Sequence, residues 1–473
     1  MNHVDRILKN AKSAKTKLLV VCAGSLALAA ALILSSPQTG TSESPLLPNN
    51  LPFENPSGLH ATFSTSGSID LRNEFFQNLG TNGRSCGTCH RAEEGWTITP
   101  AGVQVRFNRT KGTDPIFRTN DGSNLPNADV STYKARRIAY SMLLTKGLIR
   151  VGIGIPNDAE FELVNVDDPY EFASASELSL FRRPLPSTNL KFLSTVMWDG
   201  RETFPGQTIH FDLSDQSNSA TTGHAQGADL TDQQRENIVA FETGLFTAQI
   251  YDEHAGRLNA RGAKGGPENL ANQEFYLGIN DLFGDSTTGA PFDPIVFNIY
   301  DAWQRLSGKG EKGAQAAVAR GEELFNTKLI RISDVSGIND EAAFGAPAVI
   351  NGSCTTCHDT PNSGNHSVAA PLNLGLTDAE RRTPDLPLYT LRNKSTGEIK
   401  LTTDPGRALI TGQWKDIGRF KGPILRGLAA RAPYFHNGSA KDLKAVIDFY
   451  DERFAIGFTE QEKADLLAFL MTL

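Results

Sequence analysis

Two copies of one short cysteine motif constrain the fold of this chain more than any other feature. "SCGTCH" covers Ser85–His90, and "SCTTCH" covers Ser353–His358. The chain has five cysteines, and the fifth, Cys22, lies in an apolar run near the N-terminus. No cysteine therefore remains for a structural disulfide outside the motifs. Because the motif occurs twice, the chain is expected to bind two copies of the group that the motif binds.

The order Cys-x-x-Cys-His is typical of covalent c-type haem attachment. The thiols form thioether bonds to the porphyrin, and the adjacent histidine supplies an imidazole ligand to the iron. Zinc binding and thioredoxin-like redox chemistry are the alternatives. Zinc-ribbon pairs usually lie close together in sequence, and a redox motif does not require the histidine. We therefore predict two covalently bound haem c groups, attached at Cys86 and Cys89 and at Cys354 and Cys357, with His90 and His358 as iron ligands.

The N-terminal segment predicts export. Four lysines precede the apolar run Leu18–Ser36, as in a signal peptide. The run is long for a cleaved signal, which leaves an uncleaved inner-membrane anchor open. We expect a signal peptide or N-terminal anchor at residues 1–36, a flexible spacer at 37–58 and a periplasmic protein. The formal net charge of −7 argues against a nucleic-acid partner, since phosphate binding needs a basic surface.

The repeat extends beyond the cysteine motifs. "LRNEFFQN" and "ARGEELFN" precede them and predict short amphipathic helices. Farther on, "LTDQQRENIVAFETGL" at 230–245 aligns without gaps with "FTEQEKADLLAFLMTL" at 458–473. Thr231 with Gln234, and Thr459 with Glu462, form capping boxes that predict a closing helix in each half.

These repeats predict a mainly α fold with two tandem cytochrome c-type domains, each with one covalently bound haem. The predicted boundaries are 59–250 for the N-terminal domain, 251–317 for a helix–loop connector and 318–473 for the C-terminal domain.

Two longer segments carry a family resemblance. "RRPLPSTNLKFLSTVMWDGRE" at 182–202 and "GRFKGPILRGLAARAPYFHNGSAKDLKAVIDFYDERF" at 418–454 resemble the bacterial di-haem cytochrome c peroxidases and their MauG-type relatives. The resemblance implies that the N-terminal haem is the peroxidatic one and that the C-terminal haem transfers electrons. His90 and His358 would be the proximal ligands of the respective irons.

The resemblance also implies roles for two further residues of the first half. Trp198 matches the family's tryptophan between the haems, where an indole can relay electrons; the alternative is interface packing. The peroxidases place a catalytic glutamate after the W-D-G-R motif, but here His224 stands in that region. We expect His224 to be a distal acid–base residue or a reversible sixth ligand, with His210 as the second candidate.

Two predictions concern metals in the C-terminal half. Tyr450 resembles the axial tyrosine ligand of the MauG-type branch; the alternative is an ordinary helix tyrosine. The resemblance implies a calcium ion bound by the carbonyls of Arg431 and Pro433. Pro184 stands where an asparagine side chain would complete the shell, which puts calcium in doubt. His436 of the P-Y-F-H motif is expected to form hydrogen bonds near the second haem.

The resemblance implies an oxidoreductase that reduces hydrogen peroxide with electrons from a small periplasmic donor such as a cytochrome. One alternative is a MauG-type enzyme that oxidises a protein or organic substrate through a high-valent state. The other is a non-enzymatic di-haem electron carrier. The family also contains dimers, so a homodimer stays open.

Overall fold

The computed structural model describes residues 45–342 and 345–473. The predicted signal peptide or anchor at 1–36, Cys22 and spacer residues 37–44 lie outside the described residues. Chain contacts group Pro48–Leu473 into one compact unit. In the described ranges, no helix has the length and apolar character needed to cross a membrane.

The helices flank both cysteine motifs and fill part of the chain between them. The α-helices of the described residues are, in chain order, α1 (Pro100–Thr110), α2 (Tyr133–Ala139), α3 (Ser141–Lys146), α4 (Ile209–Gly223), α5 (Asp232–Thr243), α6 (Pro267–Ala271), α7 (Glu311–Thr327), α8 (Ala408–Thr411), α9 (Leu443–Phe454) and α10 (Glu460–Leu470).

Strands are distributed over both halves. They are β1 (Leu46–Pro48), β2 (Phe53–Asn55), β3 (Gly58–Ser64), β4 (Ser68–Asp70), β5 (Ile149–Ile153), β6 (Phe161–Asp167), β7 (Leu178–Arg182), β8 (Leu245–Asp252), β9 (Gly256–Arg257), β10 (Ile330–Ile332), β11 (Ile350–Gly352), β12 (Leu388–Asn393) and β13 (Ile399–Thr402). Antiparallel sheets have the strand orders β2-β3-β8-β9, β13-β12-β6, β5-β7 and β10-β11.

The prediction of a mainly α fold is wrong. Helices make up only 31% of the structure, and strands make up 17%. The prediction extended the helical character of the motif flanks to the segments between them. Segments such as "FELVNVD" and "LFTAQIYD" are instead rich in β-branched and aromatic residues, which favour strands. Strand β8 lies at the end of the predicted N-terminal domain and runs two residues into the predicted connector.

The closing helices are confirmed, whereas one leading helix is not. Helices α5 and α10 begin after the capping boxes of Thr231 and Thr459. The second leading segment lies in α7, but the first forms only a 3-10 turn at Glu74–Phe76. Helices α7 and α10 pack together so closely that the carbonyl of Asp465 leaves no room for a Cβ at Gly321.

The two halves of the chain share a sheet and a core. Strand β6 of the first half pairs antiparallel with β12 of the second, with Val166 opposite Tyr389. The Tyr389 hydroxyl donates to the backbone carbonyl of Ser179 on β7 at 2.8 Å. Phe161, Leu180, Tyr389 and Leu391 belong to one buried cluster. The intervening β segments therefore bind the halves to each other.

A buried arginine adds an ionic connection between the halves. Arg182 donates from Nε to Asp404 at 2.7 Å and from Nη1 to Asp199 at 2.5 Å. Asp199 is the acid of the W-D-G-R motif and is fully buried. Burial alone would raise the pKa of Asp199, but the charges of Arg182 and Arg201 outweigh it and lower the pKa to about 2. The motif aspartate is thus part of a structural clamp.

Replacing Asp199 with asparagine should strongly destabilise the protein. Removal of one partner from a buried ion pair costs about 3–5 kcal/mol. Because Arg182 keeps Asp404 as a partner at 2.7 Å, the cost of Asp199→Asn should lie near the lower end of this range. The depressed pKa means that the ionic contribution is present above pH 3.8 and is lost as the pH falls through about 2.

Denaturant unfolding at neutral pH measures the free energy of unfolding of Asp199→Asn. The control is Asp158→Asn at an exposed position, which should leave that free energy unchanged. Equal free energies of unfolding for the two variants would show that the ion pair of Arg182 with Asp199 does not stabilise the protein.

Candidate cofactor site

Both cysteine motifs face one cavity of about 430 Å³. Its wall includes all six motif side chains, namely Cys86, Cys89, His90, Cys354, Cys357 and His358. The lining is mainly apolar and comes from both halves of the chain, so the fold brings together two groups of residues that are far apart in sequence.

The two motifs have the same local conformation. Cys86–Thr88 and Cys354–Thr356 are 3-10 turns. In each turn the threonine hydroxyl accepts from the backbone N–H of the preceding serine, at 2.9 Å in the first and 3.0 Å in the second. This closed turn holds the two thiols and the histidine in a fixed relation.

Each motif histidine is oriented by a backbone carbonyl six positions later. His90 Nδ1 lies 3.0 Å from the carbonyl oxygen of Trp96, and His358 Nδ1 lies 2.6 Å from that of Gly364. Only a protonated Nδ1 can donate to a carbonyl, so Nε2 is the nitrogen left to bind a metal. Burial lowers the pKa of His90 to about 4 and also lowers that of His358, which keeps both imidazoles neutral.

A repeated aromatic pair supports each histidine. The Phe75 ring centroid lies 6.1 Å from that of His90, and Phe241 packs on Phe75 at 5.1 Å. In the second half, the Phe325 centroid lies 5.8 Å from that of His358, and Phe469 packs on Phe325 at 5.8 Å. Phe241 and Phe469 are matched positions of the two closing helices, so the repeat extends to the packing.

The thiols are not suited to the alternative chemistries. The four motif cysteines are free. Burial raises the pKa of Cys86, Cys354 and Cys357 to about 12, whereas a redox-active pair needs a thiolate. Across residues 45–342 and 345–473, no three side chains of His, Cys, Asp or Glu are grouped as metal ligands, so the two cysteine pairs do not converge on a zinc ion.

The charges of the wall fit the predicted haem groups. Lys421 and Arg431 are buried and line the cavity. Burial lowers the pKa of Lys421 to about 7 and that of Arg431 to about 9, and Nη2 of Arg431 is a buried donor without an acceptor. Haem brings propionate carboxylates, which would pair with such cations. Thiols, neutral imidazoles and uncompensated cations together match the needs of covalently bound haem.

Trp198 lies on the cavity wall in contact with the second half. Its Nε1–H donates to the Arg183 carbonyl at 2.8 Å, and its own carbonyl accepts from the Lys421 N–H at 2.9 Å. The indole packs edge-on against His436 at 6.2 Å, and His436 stacks on Phe420 at 4.0 Å. Both ring nitrogens of His436 are buried, and neither has a hydrogen-bond partner among the residues that the structure describes.

His224 also lies on the wall, at the end of helix α4, and it is held by a carboxylate. Its Nδ1 is 2.5 Å from Oδ2 of Asp121, and Oδ1 of Asp121 accepts from Arg84 at 2.5 Å. Burial would raise the pKa of Asp121, but the hydrogen bond to His224 and the charge of Arg84 hold it below the usual value. Sequence analysis missed Asp121 and Arg84, since no local pattern connects either residue with His224.

The other predicted metal ligands and acid–base candidates separate into two groups. Tyr450, on α9, is half-buried and lines the cavity, and desolvation raises the pKa of its phenol. His210 is instead exposed, lies 3.2 Å from Glu236 and is not part of the wall. Of the two carbonyls expected to bind a calcium ion, that of Arg431 accepts a hydrogen bond from Arg183 at 3.0 Å.

Glu242 is a further cavity residue that the sequence did not indicate. It lies on α5, it is buried, and its Oε2 has no hydrogen-bond partner within the described part of the chain. Burial raises its pKa to about 8, which makes it a neutral carboxylic acid at neutral pH. Glu242 lies on the buried face of α5, so its position in the helix alone indicates only a place in the core. The tertiary structure shows that it faces the cavity.

Comparison with known proteins gives relatives of one kind. No protein-family model matches the chain. The chain is 32% identical to the cytochrome-c peroxidase IdrP1 of Pseudomonas sp. (strain SCT), over 27% of this chain and 38% of that protein. It is 30% identical to IdrP1 of Denitromonas iodatirespirans, over 37% and 44% of the two chains. Identity with the cytochrome c peroxidase Ccp of Escherichia coli (strain K12) is 25%, over 42% and 44%.

Each of these alignments spans less than half of the relative's length. A solved structure of a MauG-like protein associated with microbial copper homeostasis overlaps 92% of this chain and 95% of its own. Its identity is 18% and its TM-score is 0.36, which is too low to establish a shared fold. The curated relatives confirm the resemblance carried by the sequence motifs. In sequence, the chain is similar to bacterial cytochrome c peroxidases over part of their length.

Replacing Glu242 with glutamine should change how stability depends on pH. The raised pKa means that the contribution of Glu242 is fully present below pH 4.5 and is lost as the pH rises through about 8. Glutamine does not titrate, so Glu242→Gln should gain stability relative to the wild type between these values, by up to about 1.4 kcal/mol per pH unit.

Denaturant midpoints below pH 5 and above pH 8 measure this difference. Glu236→Gln, at an exposed position of the same helix, is the control and should follow the wild type. Parallel pH profiles for the wild type and Glu242→Gln would show that Glu242 is not a buried neutral acid.

Proposed function

We propose that this chain is an exported di-haem c-type oxidoreductase that reduces hydrogen peroxide to water with electrons from a small donor such as a periplasmic cytochrome. The observation that carries the proposal is the single cavity shared by both Cys-x-x-Cys-His motifs. The cytochrome-c peroxidase relatives favour this reaction over simple electron carriage.

Two haem c groups would be held by thioether bonds to Cys86 and Cys89 and to Cys354 and Cys357, with Nε2 of His90 and His358 toward the irons. Bound there, haem supplies redox-active iron for peroxide and for electron storage. The proposed division keeps the peroxidatic group in residues 59–250 and the electron-transfer group in 318–473, joined by 251–317.

The protein's contribution to peroxide reduction is proton transfer. Cleavage of the O–O bond consumes two electrons and two protons and yields two waters. Asp121 accepts a hydrogen bond from His224 Nδ1–H, so Nε2 is free to take a proton from one peroxide oxygen and return it to the other. Arg84 keeps Asp121 ionised and thereby fixes the tautomer of His224.

Trp198 is proposed to relay electrons across the cavity. Its hydrogen bonds to Arg183 and from Lys421 fix the ring between segments of the two halves. The stacked His436 and Phe420 extend the aromatic row from the indole. Large rings in fixed contact are suited to electron transfer.

Tyr450 supports a second candidate function, a MauG-type oxidation of a protein or organic substrate. Its phenol lines the same cavity as His358. The timing of the reaction separates the candidates. Reaction of the fully oxidised protein with peroxide supports the MauG-type function, whereas reaction only after one-electron reduction supports the peroxidase.

Replacing His224 with alanine should slow peroxide reduction about 10²–10⁴-fold, because the cavity loses its acid–base group. Asp121→Asn should show a smaller loss, since the imidazole remains but its tautomer is no longer fixed. Both variants should keep the haem absorbance of the wild type.

Stopped-flow absorbance with peroxide and a reduced cytochrome measures the rate. His210→Ala, outside the cavity, is the matched control and should react like the wild type. A His224→Ala protein with full haem content and a wild-type rate would remove His224 from the mechanism.

A further inference from the structure

The side chain of Arg183 lies within a ring of backbone carbonyl groups. Nη2 donates to the carbonyls of Ile98 at 2.8 Å and Arg431 at 3.0 Å. Nη1 donates to the carbonyls of Lys146 at 3.1 Å and Gly147 at 3.4 Å. The ring thus combines two segments of the first half with one segment of the second, and Arg183 is buried within it.

Such a set of oxygens is typical of a site for a hard cation. Ca²⁺ is coordinated by oxygen ligands, and backbone carbonyl oxygens are among them. Here the positive charge belongs to the protein itself. Burial lowers the pKa of Arg183 to about 10, so the guanidinium remains charged at neutral pH. No carboxylate of the described residues forms an ion pair with it, and the carbonyl dipoles are its main stabilisation.

A calcium ion and this guanidinium exclude each other at the Arg431 carbonyl. Calcium binds oxygen at about 2.3–2.6 Å, which would place a divalent charge next to the buried guanidinium. The other expected donors do not compensate. Pro184 has no side-chain oxygen, and its carbonyl already accepts from the Thr97 hydroxyl at 2.7 Å.

The backbone of Arg183 connects this ring to the proposed relay. Its N–H donates to the carbonyl of His436 at 2.6 Å, and its carbonyl accepts from the Trp198 indole at 2.8 Å. Fixing the Arg183 side chain therefore fixes the chain segment from which both aromatic residues are held.

We propose that the Arg183 guanidinium takes the place of the calcium ion implied by the family resemblance and joins the two halves next to Trp198 without a metal. The chain would accordingly be a calcium-independent member of its superfamily. This role concerns assembly of the cavity wall and does not depend on which oxidation the protein performs.

The test uses the full haem-loaded protein, equilibrated with CaCl₂ and then freed of unbound ions. Metal analysis should find no stoichiometric calcium, and the Tm should be the same with EDTA and with added CaCl₂. Stoichiometric calcium, with a Tm that falls when EDTA removes it, would overturn the proposal whatever the peroxide activity.

A variant tests the guanidinium directly. Arg183→Gln leaves several buried carbonyls without a donor, so the Tm should fall by several degrees. The emission of Trp198 should also change, as seen by difference against a Trp198→Phe background. Arg137→Gln removes the same charge at an exposed site and should leave both unchanged. A wild-type Tm for Arg183→Gln would contradict the proposal; if this variant does not fold, the calcium measurement on the wild type decides.

Discussion

Both Cys-x-x-Cys-His turns present a neutral imidazole to the same apolar cavity, and much of the surrounding structure serves to keep that arrangement dry and fixed. Each histidine is held from behind by a carbonyl six positions later, and a phenylalanine pair packs beside it. In such surroundings an imidazole cannot readily become charged, and its free nitrogen is available to a metal. The same burial keeps the thiols protonated until they are modified.

Burial of charged side chains around the cavity costs free energy, and two kinds of interaction offset this cost. Arg182 is neutralised by Asp199 and Asp404, one from each half of the chain. Arg183 is surrounded by carbonyl dipoles instead. Among the described residues, the Thr195 carbonyl is the only hydrogen-bond acceptor of the Lys421 ammonium group, and no carboxylate there forms an ion pair with it. The last case is consistent with a cofactor that carries carboxylates.

Local patterns in the sequence were enough to predict the motif pair and the closing helices. The capping boxes of Thr231 and Thr459 are contained within four residues, and both helices begin where they predict. The strands were missed because the repeat was read as helical throughout, although β6 and β12 are stabilised by pairing with each other across nearly half of the chain. Tertiary context decides such segments.

The predicted site residues show the same difference between what a sequence motif can indicate and what depends on tertiary context. Trp198, His224 and Tyr450 were selected by resemblance to family motifs, and all three line the cavity. Asp121, Arg84, Glu242 and Arg183 could not be selected in this way. The role of a buried charged or acidic side chain can be recognised only when its hydrogen-bond partner, or the lack of one, is known. For Asp121, Arg84 and Arg183, the partners come from distant parts of the sequence.

Each cysteine motif is proposed to carry its own covalent haem in a shared cavity. Intact-mass spectrometry with a pyridine haemochrome assay on the purified protein counts the haem groups. We expect two haem groups per chain, and one in a variant with both Cys354→Ala and Cys357→Ala. A wild-type protein that carries a single haem, or a variant that still carries two, would contradict it.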